Sequence, residues 1–392
     1  MPLLNRFPQV GSPFPTEPLD PVQVYNETRP LDWLPMPKTL LNNEIFLLFH
    51  IPIETSCLIA FTVTCTGNYI VELGTMESGT FVADGNKTRN VASGTVYEND
   101  IAASDFGNHT STGMAQCMIH VKGLEIFTWE PSIHSKKPSP QEFSNWNIVD
   151  MCIKSTTALS IACGNSTYGK ALGKLAYFRF DGENSISDMS NMFSNCYSLI
   201  SIVDLNTTSS QKMDRMFNNC YSLIALPTLE MGKVTSTIMM FNSCFSLKSL
   251  GNMNTASVRY MSTMFTGCRS LTVAPQMETQ SAENLSSLFA SCTSLSIIPA
   301  LDLKSATNIS NAFSACSALN KVDLTWSGSW QVPLPVSFLD CSLSYASIVS
   351  LFNSLPVLET ASTLTLTGNP GVYDLTDEDK QIAINKGWTL TL

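Results

Sequence analysis

The chain has 392 residues, 44% of them apolar, enough for two or three domains with substantial cores. Only 14% are charged and the net charge is -10, so solubility rests on Ser, Thr and Asn, and the sign argues against nucleic acid or an anionic membrane surface as partner. No eighteen apolar residues run together, no apolar signal-peptide core follows the N-terminus, and the four His residues match no metal-ligand spacing, so we expect no membrane span, no export and no cofactor or metal.

Residues 1–38 hold nine of the twenty Pro residues and little periodicity, which predicts an extended Pro-rich N-terminal arm, either disordered or ordered along a partner. From Glu44 a period of two takes over. CLIAFTVTC places Cys57, Ile59, Phe61, Val63 and Cys65 on one face, and NYIVEL after Gly67 and Asn68 reads as the return strand of a hairpin. CMIHVKG, from Cys117 to Gly123, alternates likewise, so residues 39–130 are expected to form an all-β, sandwich-like docking domain. Residues 131–185 read first as a linker, PSIHSKKPSPQEFSN, and then as a strand-rich cap, NIVDMCIKS, LSIAC and LAYFRF, leading into the next region.

That region, residues 186–345, repeats. Cys196, Cys220, Cys244, Cys268, Cys292, Cys316 and Cys341 follow at intervals of 24, with 25 before the last. Phe stands three residues before each, at Phe193, Phe217, Phe241, Phe265, Phe289, Phe313 and Phe338. Leu stands three residues after the first six, at Leu199, Leu223, Leu247, Leu271, Leu295 and Leu319. A 24-residue period lies in the leucine-rich-repeat range, one short strand and one helical or irregular segment per unit, so the fold class predicted is a mixed α/β solenoid. Met-x-x-Met-Phe-x-x-Cys has the i, i+3, i+4, i+7 spacing of two helical turns, and SLISIVDL that of the strand. With strands about 4.8 Å apart, seven units would make a rod roughly 30 Å long.

The recurring Cys reads as a core residue. A reactive thiol needs a basic partner, and no His follows His134. Disulfides between coils need converging side chains, whereas stacked ones run parallel, and seven is odd. The strand's outward positions carry Ile200, Ser201, Ile224, Ala225, Lys248, Ser249, Thr272, Ser296, Ile297, Asn320 and Lys321; of these, Ile200, Ile224, Lys248, Thr272, Ile297 and Lys321 are the candidate binding face.

Residues 346–392 read as a C-terminal cap, which an open solenoid end requires. Thr376 with Asp379 three residues later marks a helix start, Gly387 its end, and WTLTL a last strand. Trp326 and Trp330 suit packing in this closing region, with a sugar-binding platform as the alternative.

The pattern MSNMFSNCYSLISI, repeated every 24 residues, resembles the BspA-like leucine-rich repeats of bacterial surface proteins and of bacteriophage tail and other structural proteins. The likeness covers residues 186–392 and weakens at SFLDCSLSY, where Leu is lost three residues after Cys341. It implies a non-enzymatic virion protein, assembled in the host cytoplasm: a tail-fibre or baseplate component, homo-oligomeric in the particle, that docks on other virion proteins by its N-terminal half. The repeats would then bind a host-surface protein or glycan. Alternatives are a head-attached decoration or fibre protein and a bacterial cell-surface adhesin. No nucleophile with its base, carboxylate pair, phosphate-binding loop or ligand set stands at usable spacing, so no enzyme is expected.

Overall fold

A computed structural model describes residues 19–37, 40–52, 56–78, 80–106, 110–131, 148–156, 158–164, 171–182, 185–326 and 334–392. Residues 1–18, most of the linker and Trp330 lie outside these. Two sheets make up the N-terminal half. The larger has seven strands in the spatial order β11 (Ser201–Ile202), β10 (Tyr177–Asp181), β8 (Ile148–Lys154), β1 (Glu44–Pro52), β6 (Met114–Lys122), β3 (Tyr69–Glu77) and β4 (Thr80–Val91). The smaller has four: β5 (Val96–Ala102), β2 (Ser56–Cys65), β7 (Phe127–Pro131) and β9 (Ala158–Ile161). Ile45, Leu47 and Phe49 on β1 and Cys117, Ile119 and Val121 on β6 share a buried cluster with Phe61, Val63, Phe127 and Trp129 of the smaller sheet.

The hairpin expected across Gly67 and Asn68 does not form. β2 pairs with β5 and β7, whereas β3 pairs with β4 and β6, so the chain steps from one sheet to the other. A period of two marks which face is buried and leaves the neighbouring strand unspecified. Nor are the two sheets a free-standing sandwich domain. β1, β3, β4, β6 and β8 run antiparallel, but β10 pairs in parallel with both β8 and β11, and Tyr177 stands opposite Ser201, one repeat later. The large sheet thus becomes the first rungs of a β-solenoid of about nine turns. One apolar cluster runs through both, from Ile45 to Trp388, and the boundary expected before residue 186 falls inside this stack.

The coils are not the mixed α/β units predicted. Met-x-x-Met-Phe-x-x-Cys contains two left-handed residues per coil, Asn191 and Asn195, then Arg215 and Asn219, Met239 and Ser243, Thr263 and Gly267, Ser287 and Ser291, Asn311 and Ala315. A right-handed helix admits no such residue, and an isolated two-turn helix is marginal in water anyway. Tight turns replace it. Met192, Ser194 and Cys196 donate their N–H groups to carbonyls three residues back, while Met189, Asn191, Phe193 and Asn195 donate to Lys212, Asp214, Met216 and Asn218 of the next coil at 2.8 to 3.0 Å. The N–H groups from Met189 to Cys196 thus find partners without a helix, Ser190 N on the Asp188 carboxylate, and the same apolar positions still point inward.

The interior is built of ladders. Successive rings from Phe193 to Phe289 stack at 5.3 to 5.5 Å between centroids, within 11° of parallel. The thiols of Cys220, Cys244, Cys268, Cys292, Cys316 and Cys341 each donate, at 3.0 to 3.2 Å, to the carbonyl of the Phe that precedes the previous Cys. On the strand side the rungs are short, among them β12 (Ile297–Asp302) and β13 (Lys321–Thr325), with single bridges such as Ser201 to Ala225 elsewhere.

The far end closes with parallel strands β14 (Val336–Ser337), β15 (Ser362–Thr365) and β16 (Trp388–Thr391), and helices α2 (Tyr345–Ser354) and α3 (Asp377–Ile384). Thr376 and Asp379 form a reciprocal capping box on α3, and Gly387 holds φ 88° ahead of β16. The Lys386 ammonium donates to the carbonyls of Phe352, Asn353 and Leu355 at the C-terminal end of α2, where the helix dipole favours a cation. Trp388 is buried, donates to Pro356 O at 3.1 Å, and packs 6.2 Å from Trp326, which places Trp326 in the packing of this end.

Candidate binding surfaces

The repeat-core side chains Phe193, Cys196 and Leu199, and their counterparts through Cys341, are all buried. Cys65, Cys117, Cys152, Cys163 and the seven ladder cysteines are all free. Burial pushes the ladder thiols up, those of Cys316 and Cys341 to about 12, so they stay protonated and act as small packing groups with a hydrogen to donate. The candidate outer face is uneven. Ile200, Ile224 and Thr272 are half-buried, whereas Lys248, Ile297 and Lys321 are exposed, Ile297 by 46%. Ser201 and Ala225, expected to face outward, are buried.

The cover at this end is the chain's own residues 19–37, where the expected extended arm is a helix over Pro21–Thr28. Asp20 accepts from Val22 N at the start of α1 (Pro21–Thr28), with Pro at the first helical position, and the Ser201 hydroxyl donates to Pro21 O at 3.0 Å. Leu19, just before it, lines a small pocket with Leu226, Pro227, Leu229, Leu250 and Met253. From Arg29 to Pro37 the segment crosses the outer face of the seven-stranded sheet. Leu34, Met36 and Leu40 are buried there against Phe46, Leu48, Met118, Val149 and Cys152, a second core on the face away from the smaller sheet.

Polar side chains hold this strap. Arg29 Nε donates to Asp150 Oδ2 at 2.8 Å, and its guanidinium sits over the rings of Tyr25 and Trp33. Gln116, buried on β6, accepts from Leu34 N at 2.7 Å and donates to Asp32 O at 2.8 Å. Tyr177 donates to the Thr28 hydroxyl, and Arg179 to Pro37 O, both at 3.0 Å. Burial pushes the Asp150 carboxyl up, with Arg29 opposing it. His50 packs edge-on under Trp33 at 4.8 Å, and burial brings it down to about 4, so it is neutral at pH 7.

Beside the strap, His120 stacks on Phe46 and lies between two carboxylates, Nδ1 3.0 Å from Glu72 and Nε2 3.1 Å from Glu44. A neutral ring has one N–H, so it can donate to only one of them. Burial brings His120 down while the two carboxylates oppose it, and their placement on opposite sides of the ring lets it link β1, β3 and β6. Among the described residues no group of three or more His, Cys, Asp or Glu is arranged to hold a metal ion, and no helix is long and apolar enough to cross a membrane.

Sequence reasoning missed Arg29, Gln116, Asp150 and Tyr177. The signals were there. Asp20-Pro21 is a helix-start pair, and Asp150 inside the otherwise apolar strand NIVDMCIK marks a face that needs a charged partner.

The family described as "Mycoplasma protein of unknown function, DUF285" matches residues 179–274 and 221–327. With the solenoid, the match fits a BspA-like repeat protein. No curated protein and no solved structure matches significantly.

Proposed function

We propose that the chain is a non-enzymatic structural protein of a bacteriophage particle, associated with the tail fibre or baseplate, that docks through its N-terminal half and presents the repeat rod to a host-surface or protein partner. One observation carries the reading: the rod's strand face is covered by the strap at its N-terminal coils and open over Lys248, Ile297 and Lys321. A stack locked by aromatic and thiol ladders is stiff, and a stiff rod with one end fastened and one face open suits display. The small, sparsely charged side chains of that face suit a flat protein or glycan contact. A cell-surface adhesin with the same repeats is the second reading, supported by the family description, which names a mycoplasma protein.

The test is to label particles or cells with an antibody against residues 346–392 and image them by negative stain. Label at a tail tip supports the reading, whereas label on a head or a cell envelope replaces it with the corresponding alternative. Ile297→Glu, on an exposed position, should leave folding intact and lower adsorption to host cells. Parental adsorption by the folded variant removes this face from the contact.

A further inference from the structure

The strap is held by side chains and not by strand pairing. Backbone hydrogen bonds within residues 20–33 run from Val24 to Asp20, Arg29 to Tyr25 and Trp33 to Pro30, and among the described residues the strap adds no strand to either sheet. Trp33 touches two basic groups: the Arg29 guanidinium lies 5.6 Å from its ring centroid, and the His50 ring stands edge-on at 4.8 Å. His50 is more than nine-tenths buried, and its Nε2 has no hydrogen-bond partner among the described residues. A neutral imidazole tolerates that place, whereas an imidazolium brings a charge and a second N–H with no acceptor at Nε2. The groups around it do not supply one. Arg29, and Lys174 in the turn before β10, carry the same sign, and Gln116 beside it on β6 is neutral. Asp32 accepts from Ser111 N, and Asp150 on β8 is paired with Arg29.

We infer that the strap is a proton-operated latch, closed over the large sheet while His50 is neutral and lifted when His50 takes a proton, with the sheet and the repeat rod still folded. Two observations confine the opening to the strap. Asn43 N donates to Lys154 O at 2.7 Å, which ties the start of β1 to β8 whether or not the strap is down. The main apolar cluster begins at Ile45, whereas Leu34 and Met36 belong to the separate cluster on the outer face. Because the Ser201 hydroxyl donates to Pro21 O, lifting also lengthens the open strand face towards the first coils. The inference goes beyond the display reading and holds whatever the rod meets. Its size follows from linkage. Burial holds His50 at about 4 under the strap, and a lifted strap returns it to the ordinary value near 6.5. Through His50 alone, opening therefore gains about thirtyfold between pH 7.5 and 5. Asp32, held low by Ser111 N, acts in the same sense, and Asp150, pushed up by burial, in the opposite one, so the test isolates His50.

Cys152 reports the opening. It is buried in the same cluster as Leu34 and Met36, and Arg179, which donates to Pro37 O, also donates to its sulfur at 3.1 Å. The full chain is treated with dithiodipyridine, a disulfide that exchanges with thiols in weak acid, at pH values from 7.5 to 5. The rate at each Cys is read by peptide mass and divided by that of free cysteine at the same pH. With reclosing faster than labelling, the Cys152 rate follows the fraction of molecules with the strap lifted. The rate should rise in the wild type as pH falls, and its ratio to that of His50→Gln should grow about thirtyfold, with Cys244 and Cys268 unlabelled throughout. If His50→Gln does not fold, His50→Phe, which keeps a ring under Trp33, takes its place. A flat wild-type profile, equal profiles in wild type and variant, or labelling of Cys244 in step with Cys152 overturns the inference.

Discussion

Phe241 stands between Phe217, at 5.3 Å and 11°, and Phe265, at 5.5 Å and 5°. Replacing it with Leu keeps most of the buried apolar volume and removes two ring pairs, each worth about 0.5–1.5 kcal/mol beyond area, so Phe241→Leu should cost about 1–3 kcal/mol. Phe338, at the closing end, has one stacked partner among the described rings, Phe313 at 5.0 Å, so Phe338→Leu should lose about half as much. Phe241→Ala, which also opens a cavity, should cost about 3–5 kcal/mol. Urea titration followed by circular dichroism reads these losses, with an unchanged denaturant slope as the check that the same unit unfolds. Equal losses for Phe241→Leu and Phe338→Leu would show that the stack contributes only apolar area, and the reasoning would fail.

His50 supplies a prediction about acid. Its folded value of about 4 lies below the ordinary one near 6.5, so between those values the unfolded chain binds a proton that the folded chain refuses. Stability should therefore fall as pH drops from 6.5 to 4, by about 2–3 kcal/mol, and His50→Gln should flatten that window. An unaltered pH profile in the variant would assign the loss to other groups. The ladder thiols should resist a maleimide at pH 9 as well as at pH 7, because burial holds them protonated, with half-buried Cys65 reacting first. Labelling of Cys244 or Cys268 in the folded protein at pH 9 would contradict this.

The period was plain in the sequence because Phe, Cys and Leu recur in register, and their burial follows from stacking one coil on the next. The shape of each coil was hidden. Spacing of i, i+3, i+4 and i+7 is shared by a helix and by stacked tight turns, and what separates them is the left-handed backbone at positions such as Arg215 and Met239, residue types that give no hint of it. Stacking enforces those conformations, so the cause lies in the neighbouring coil and not in the local letters. The same holds for the strap. Its Pro content suggested an extended arm, but Arg29 is fixed by Asp150, 121 residues away. A pairing that distant leaves no periodic trace.

Because the bonds from Asn191, Phe193 and Asn195 to the next coil point along the stack, a pull on the two ends of the rod loads them one rung at a time instead of all together. Under tension the coils should part singly, each freeing 24 residues and about 80 Å of chain, since extended residues span about 3.3–3.6 Å. A pull along the rod should therefore be taken up coil by coil, with the rest of the stack intact.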